Sequence, residues 1–327
     1  MKISIIMAVY NGEKYLIRQL RSIINQTKKI EEVILIDDCS KDKSVEIIEE
    51  FIKKNKLYNW KLIINKKNLG YKNNFKKGLS LVNGDIIFLA DQDDIWHTDK
   101  VEKILTVMNN DILAISSSFN FINQNDEPFT IKQSKNKSNN NIIDFKITKK
   151  LTEIDLKYLL RSNIAQGCTM AVRKELVNEY LQVTKGKLPH DWDLNLIASI
   201  HNGCYFYDEK LIDYRIHDAN TIGLDEVDET FLENKDKRTK DRISYLESEL
   251  ENIEYVLNLD LTSQDREMCL RNKRYLKDRI KYIKKTKIFK LVKYYISGKY
   301  HEFGRLKTFL GDIVSIVRKN DLGEKND

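Results

Sequence analysis

The sequence predicts an α/β protein with a C-terminal helical extension. Three observations predict it: four short runs apolar on both faces, amphipathic helical segments between them, and a change near Asp225 to long charged helices. Strands that are apolar on both faces need cover on both sides, which is the situation of a parallel sheet flanked by helices.

Each element follows from its own pattern. Ile3 to Val9 is a continuous apolar run, after which Leu16, Leu20, Ile23 and Ile24 recur at helical spacing. Val33 to Ile36 is the second run; Val45, Ile48 and Ile52 form the next helical face, with Ser40 as its expected N-cap. Leu62 to Ile64 is the third run, Phe75, Leu79 and Val82 the third helical face, and Ile86 to Ala90 the fourth run. Val101, Ile104, Leu105 and Met108 predict a helix capped by Thr98, and Ile112 to Ile122 a strand. Residues 123 to 148, rich in Asn, Lys and Ser, read as a surface excursion. Beyond it the pattern predicts a helix at Leu156 to Leu160, a strand at Cys168 to Val172, a helix at Trp192 to Ile200, and two strands at Tyr205 to Tyr207 and Leu211 to Tyr214. Long helices follow at Thr230 to Leu257 and Ser263 to Lys287, then an amphipathic tail. The expected divisions are 1–100, 101–225, 226–287 and 288–327.

Charge is unevenly spread over the 327 residues. The formal net charge is +7, from 56 Lys and Arg against 49 Asp and Glu. Arg271 to Lys319 holds 16 basic residues against Asp278, Glu302 and Asp312, a local charge of +13 that leaves −6 on the rest. A mildly acidic body with a basic tail is expected. Charged residues interrupt every apolar run before it reaches membrane-spanning length. The start ends in Tyr10-Asn11-Gly12-Glu13 rather than a cleavage site, so it reads as a buried strand and not a signal peptide. Cys39, Cys168, Cys204 and Cys269 show neither zinc spacing nor a disulfide framework, which points to a reducing cytoplasm.

The sharpest local signal is Asp91-Gln92-Asp93-Asp94, directly after an apolar strand. Carboxylates at i and i+2 emerge on one side of an extended chain, and ligands bind at the carboxyl ends of strands in open α/β sheets. Asp91 and Asp93 so placed form a hard oxygen site suited to Mg2+ or Mn2+; the competing reading is a solvated turn that caps the next helix. Asp37-Asp38 is a second acidic pair at the same edge, where Asp37 can accept from the N–H edge of a pyrimidine and Asp38 from ribose hydroxyls. The 12 glycines include no Gly-x-Gly, so a diphosphate has no backbone cradle and needs a metal or basic side chains. Asp191, in Pro189-His190-Asp191-Trp192, opens a helix, where a carboxylate serves either as a cap or as a general base. Trp192 offers a ring face to a sugar. His217 follows a strand and becomes a ligand only if the carboxylates lie nearby.

In their order, these motifs resemble the family 2 glycosyltransferases of the GT-A fold. The pieces that carry the resemblance are Ser4 to Glu13, Val33 to Ser40, Asn68-Leu69-Gly70, Asn83-Gly84-Asp85 and Ala90 to Trp96. Gln166-Gly167-Cys168-Thr169-Met170, His190-Asp191-Trp192 and Tyr214-Arg215-Ile216-His217 resemble the rhamnosyltransferase branch of O-antigen and capsule assembly. The resemblance covers residues 1 to 223. It implies a nucleotide-binding half at 1–100 and an acceptor half at 101–225.

What the resemblance implies about residues is specific. Ala8, Tyr10, Glu13, Asp37, Asp38 and Asn73 would line the donor pocket, with Asp91, Gly167 and Trp192 also facing substrate. Asp93, with Asp91 and His217, would hold a divalent cation, Mg2+ or Mn2+, on the diphosphate. Asp191 matches the second acid of a Glu-Asp pair that supplies the catalytic base, and His190 stands where Glu is usual. The implied activity is inverting transfer from a nucleotide-sugar donor, dTDP-rhamnose or else a UDP-hexose, to a lipid-linked glycan acceptor. The basic tail, with Phe289, Tyr294, Tyr295, Ile296, Phe303 and Phe309 among its lysines, suits an anionic membrane surface, and so a cytoplasmic enzyme peripheral to the inner face of the plasma membrane. Two rival readings are weaker. A sugar-phosphate nucleotidyltransferase needs a basic Gly-rich loop that Tyr10 to Glu13 does not supply, and nucleic-acid binding conflicts with the acidic body.

Overall fold

The computed structural model describes residues 1–130, 147, 149–217, 237–300 and 306–323. The chain divides into two compact units: Met1–Leu159 with Asn163–Gly223, and Leu160–Ser162 with Leu224–Asp327.

The first unit is built on one sheet. Its strands are β1 Ile3–Val9, β2 Glu32–Asp37, β3 Trp60–Ile64, β4 Ile86–Ala90, β5 Ile95–Trp96, β6 Ala114–Ile122, β7 Pro128–Phe129, β8 Leu151–Glu153, β9 Met170–Arg173 and β10 Cys204–Arg215. The order is β3-β2-β1-β4-β9-β6-β10-β5, with β7 on β6 and β8 on β10. β3, β2, β1 and β4 run parallel; β1, β2 and β4 are buried on both faces as their apolar runs predict, whereas β3 lies at the sheet edge and leaves Lys61 and Ile64 exposed. Helices α1 (Leu16–Ile24), α2 (Ser44–Lys54), α3 (Tyr71–Leu81) and α4 (Lys100–Val107) alternate with them. Ile3, Ile5, Met7 and Val9 of β1 join Leu16 and Leu20 of α1 in the main core. Alternate residues point the other way, and a β-carbon on Gly78 of α3 would lie 2.7 Å from Ile36 and 2.8 Å from Ile6. That close approach of helix to sheet needs the missing side chain.

Register decides where the site is. Val9 pairs with Asp37 and Met7 with Ala90, so Tyr10, Asp38 and Asp91 all leave the sheet at the same carboxyl edge. β9 inserts between β4 and β6, antiparallel to both, and brings the turn that precedes it to that edge beside Asp91.

Several expectations are corrected. Ser40 does not cap α2, which starts at Ser44; its hydroxyl is held by Asp37 and accepts from the Asn11 N–H. Thr98 does not cap α4, whose N-cap is Asp99. Cys168 to Val172 is not all strand, because Gly167–Thr169 forms a 3₁₀ turn before β9. The two strands expected at 205–214 are one, β10, which shifts register against β6 between Tyr207 and Asp213. Asp208, Glu209 and Lys210 read as a break because a bulge carries polar residues without ending the strand. Helix α6 (Lys174–Val183) was not expected; α5 (Leu156–Leu159) and α7 (His190–Ile200) lie close to prediction. Residues 131–146 and 148 of the excursion, the expected helix start at 230–236 and Phe303 lie outside the described residues.

The second unit is helical, with α8 Lys237–Val256, α9 Ser263–Lys284, α10 Ile288–Ile296 and α11 Leu306–Gly323. Thr262 caps α9 by accepting from the Asp265 N–H. Its interior holds Leu276, Ile280, Leu291 and Ile316 around a buried polar centre. There Arg279 grips Asp312 through two hydrogen bonds of 2.7 and 2.8 Å, Arg242 adds one of 2.9 Å, and the Tyr300 hydroxyl donates at 2.6 Å. Burial alone would raise the Asp312 carboxyl, but Arg279, Arg242 and Tyr300 hold it below 3.8. Leu160–Ser162 belongs to this unit: Asn252 of α8 donates to the Leu160 carbonyl, and Arg161 faces the buried Glu249 at 3.6 Å. Phe289 and Ile296 of α10, and Leu306, Leu310, Val314 and Val317 of α11, remain exposed. No described helix is long and apolar enough to cross a membrane.

Candidate active site

The edge loops are pinned mostly by carboxylates and amides. Gln92 accepts from the Tyr10 N–H at 2.8 Å and donates back to its carbonyl at 3.0 Å, tying the end of β1 to the acidic turn. Space at Gly12 is tight: a β-carbon would lie 2.3 Å from the Gln92 side-chain oxygen and would displace that amide. Tyr10 itself stays exposed and Ala8 half-buried. Glu13 accepts from the Lys43 N–H, and Asp37 holds the Ser40 hydroxyl and N–H. Asp38 is closed into the loop after β3, accepting from Leu69 N–H, Gly70 N–H and the Asn65 amide at 2.8 Å each. It shapes the turn that carries Asn73, whose amide donates to the Leu69 carbonyl.

The acidic turn is not extended. Residues 91–94 form a bend after β4, so the two-residue alternation does not apply, and the acids sort differently. Asp93 pairs with His217 at 3.0 Å, with Tyr15 against the His217 ring at 4.8 Å. Asp91 instead groups with Asp94 and Cys168, one ligand atom of each lying within 4.8 Å of the others. Asp94 accepts from the Arg215 N–H, while its Oδ2 is buried without a nitrogen or oxygen partner. Burial, then Asp94, Asp93 and Asp191, push the Asp91 carboxyl well up; burial and then Asp93 push Asp94 up to about 7. Crowded acids with a buried oxygen that meets no nitrogen or oxygen fit a cation: Asp91 and Asp94 converge with the Cys168 sulfur, while Asp93 and His217 form a separate pair, so the expected set of Asp91, Asp93 and His217 is not brought together as one group.

Two basic side chains that the sequence reading passed over lie beneath this turn. Arg215 is fully buried, donating to the Asp93 and Asn123 carbonyls and pairing with Asp126 at 2.5 Å. Lys100 is fully buried as well, donating to the Cys168 carbonyl at 2.7 Å with its ammonium 3.7 Å from the Trp96 ring centroid. Burial pushes Lys100 down to about 7, against the pull of Cys168, Asp94 and Asp91.

The Gly167–Thr169 turn links the acids to helix α7. A β-carbon on Gly167 would sit 2.7 Å from His190 Nε2 and 3.5 Å from Asp191 Cβ. Asp191 lies in the first turn of α7; one oxygen accepts from the Trp192 N–H and the other from the Asn163 amide, both at 2.8 Å. Pro189, not Asp191, is the N-cap of α7; Asp191 satisfies the adjacent Trp192 N–H inside the first turn and keeps a second lone pair on each oxygen. His190 is buried and stacked on Phe75 at 3.8 Å, and neither ring nitrogen has a hydrogen-bond partner among the described residues. Burial lowers its pKa, so the ring is neutral near pH 7. The Trp192 indole donates to the Leu159 carbonyl at 2.7 Å, which fixes its ring. Asn163, like Lys100 and Gln92, was missed: it lies in an aperiodic stretch, and only its neighbour in space gives it a role.

The sequence profile of Glycosyl transferase family 2 matches residues 4–181, more than half of the chain. The chain belongs to that family. This glycosyltransferase is 29% identical over 260 residues to a protein of Haemophilus influenzae named only as an uncharacterized glycosyltransferase, covering 78% of this chain and 74% of that one. It is 29% identical over 228 residues to the dTDP-rhamnosyl transferase RfbG of Shigella flexneri, covering 66% and 73%. Among solved structures, residues 1–349 of Staphylococcus aureus TarS with UDP-GlcNAc superpose at a TM-score of 0.61 with 16% identity, over 100% of this chain and 93% of that one. A longer TarS chain is spanned to 43% of its length. The mannosyltransferase PcManGT of Pyrobaculum calidifontis, solved with GDP-Man and Mn2+, gives a TM-score of 0.55 with 12% identity, over 97% and 86%. These likenesses establish the GT-A fold of the glycosyltransferase.

Proposed function

We propose that the enzyme transfers a sugar from a nucleoside diphosphate donor to a hydroxyl with inversion, using Asp191 as general base. One observation carries this reading: the Gly167–Thr169 turn has Asp91 and Asp94 on one side, through Cys168, and Asp191 on the other, through Gly167. An acid cluster for a cation and a helix-borne carboxylate thus flank a single small turn. The acceptor hydroxyl donates its hydrogen bond to Asp191 and attacks the anomeric carbon from the face opposite the diphosphate. As the new carbon–oxygen bond forms, the bond to the diphosphate breaks and the proton passes to Asp191, which returns it to solvent. Asn163 and the Trp192 N–H hold the carboxylate in its orientation, and neutral His190 adds no positive charge beside the base. A divalent cation on the acidic turn would offset charge on the departing diphosphate.

The donor we favour is dTDP-rhamnose, because the matching relative of Shigella flexneri is named as a dTDP-rhamnosyl transferase and its match covers 66% of this chain. A UDP-hexose is the second reading, since the TarS fragment was solved with UDP-GlcNAc. The donor half is placed at 1–100 and the acceptor half at 101–225, with charged helices at 226–287 and the tail at 288–327. A lipid-linked glycan is the proposed acceptor. The exposed apolar residues of α10 and α11, interleaved with Lys290, Lys293 and Lys307, support docking on an anionic membrane surface. Turnover of dTDP-rhamnose, UDP-glucose, UDP-GlcNAc and GDP-mannose with Mn2+ tests the donor, and a preference for a UDP-sugar rejects rhamnose. Asp191→Asn should lower turnover by about 10³-fold while the circular dichroism stays unchanged. Near-normal turnover in that variant would remove Asp191 from the role of base.

A further inference from the structure

Three carboxylates, Asp91, Asp93 and Asp94, crowd the end of β4, and the cations around them are unequal. Arg215 has its guanidinium on main-chain and Asp126 contacts: it pairs with Asp126, donates to the Asp93 and Asn123 carbonyls and lies 4.6 Å from the Tyr15 ring centroid, and its backbone N–H meets the Asp94 carboxylate. His217 is neutral unless protonated and is engaged with Asp93. Lys100 differs. It projects from the first turn of α4 into the sheet edge and is fully buried, though charged side chains this deep are ordinarily paired with an opposite charge. Among the described residues its ammonium donates to a backbone carbonyl, that of Cys168, whose thiol belongs to the acid group, and lies over the face of Trp96. The carboxylates that act on its charge are Asp94 and Asp91.

We propose that Lys100 is a built-in counter-ion, a positioning residue that holds the acidic turn and the Gly167–Thr169 turn together when no divalent cation is present, and that weakens cation binding in doing so. The argument rests on the reading of the acidic turn as a cation site. Positive charge beneath the acids offsets their mutual repulsion, and the same charge repels an arriving Mg2+ or Mn2+. The carbonyl bond carries the effect onward, because Cys168 adjoins Gly167, and Gly167 adjoins His190 and Asp191. The two consequences have opposite signs, which an ordinary packing role does not produce.

The test uses the full chain and Lys100→Met, which keeps the length of the side chain and removes its charge. In EDTA the midpoint of thermal unfolding should fall, and the fall should shrink when Asp94→Asn is added, since one unbalanced acid is then gone. Additive effects in this double-mutant cycle would overturn the proposal. By calorimetric titration, Mn2+ alone should bind Lys100→Met about tenfold tighter than the unsubstituted protein. Equal or weaker binding by a folded Lys100→Met would overturn it equally. Lys100→Arg, which keeps the charge, guards against a variant that does not fold: loss of folding in Lys100→Met with recovery in Lys100→Met/Asp94→Asn supports the counter-ion, and no recovery counts against it. If the unsubstituted protein binds no Mn2+, the cation reading of the acidic turn fails, while the EDTA cycle still decides the role of Lys100.

Discussion

Both units bury charge, and they do so in opposite ways. In the helical unit a single carboxylate, Asp312, receives two guanidinium groups and a phenol, and its pKa is held down. At the sheet edge Asp91 and Asp94 share one Lys100 and are pushed up. The first arrangement is complete and serves the fold; the second is short of positive charge, as the proposed cation site requires. Balance of charge, rather than acidity, separates the structural polar centre from the candidate site.

Substitutions should break that contrast in opposite directions. The largest effect on stability is expected from Asp312→Ala, which leaves Arg279 buried and unpaired and should cost about 3–5 kcal/mol, read as a lower midpoint in urea. Asp94→Asn should do the reverse at pH 8 in EDTA, leaving the midpoint unchanged or raised by up to about 1 kcal/mol, because it removes a carboxylate that burial makes costly. A marked loss of stability would show that Asp94 is balanced after all. The pH dependence separates the centres again. Asp94 is raised to about 7 from 3.8, so its contribution is full below 3.8 and is lost as pH rises toward 7. Asp312 is lowered, so its contribution is present above 3.8 and is lost as pH falls below that value. In cation-free protein the unfolding midpoint of Asp94→Asn should therefore rise relative to that of the unsubstituted protein between pH 5 and pH 7, a range in which Asp94 changes charge and Lys100 stays largely protonated.

The fold was legible because strands buried on both faces leave uninterrupted apolar runs; β1 and β4 begin and end where those runs do. Element type could be read without partners, but capping could not. Ser40 and Thr98 carry good capping side chains, yet their helices begin elsewhere, since Asp37 competes for the Ser40 hydroxyl. In the candidate site the acids announced themselves by number. Their grouping did not, because a bend at 91–94 replaces the alternation of a strand and sets Asp91 beside Asp94 instead of Asp93. Lys100 reads as a solvated helix lysine, and nothing local marks it as buried. Asn163 sits 28 residues before Asp191, so its role exists only after α7 has packed.

The helical unit draws on two separate stretches of chain, since Leu160–Ser162 counts with α8 rather than with the sheet. Shortening the protein at about residue 225 would not release a finished enzyme. It would bare Leu160, which is fully buried, and strip Arg161 of Glu249, immediately before the residue that holds Asp191. A different C-terminal extension could be grafted on only with a matching rewrite of residues 160–162. The two units are thus interleaved along the chain: three residues inside the stretch that builds the sheet unit pack as part of the helical one.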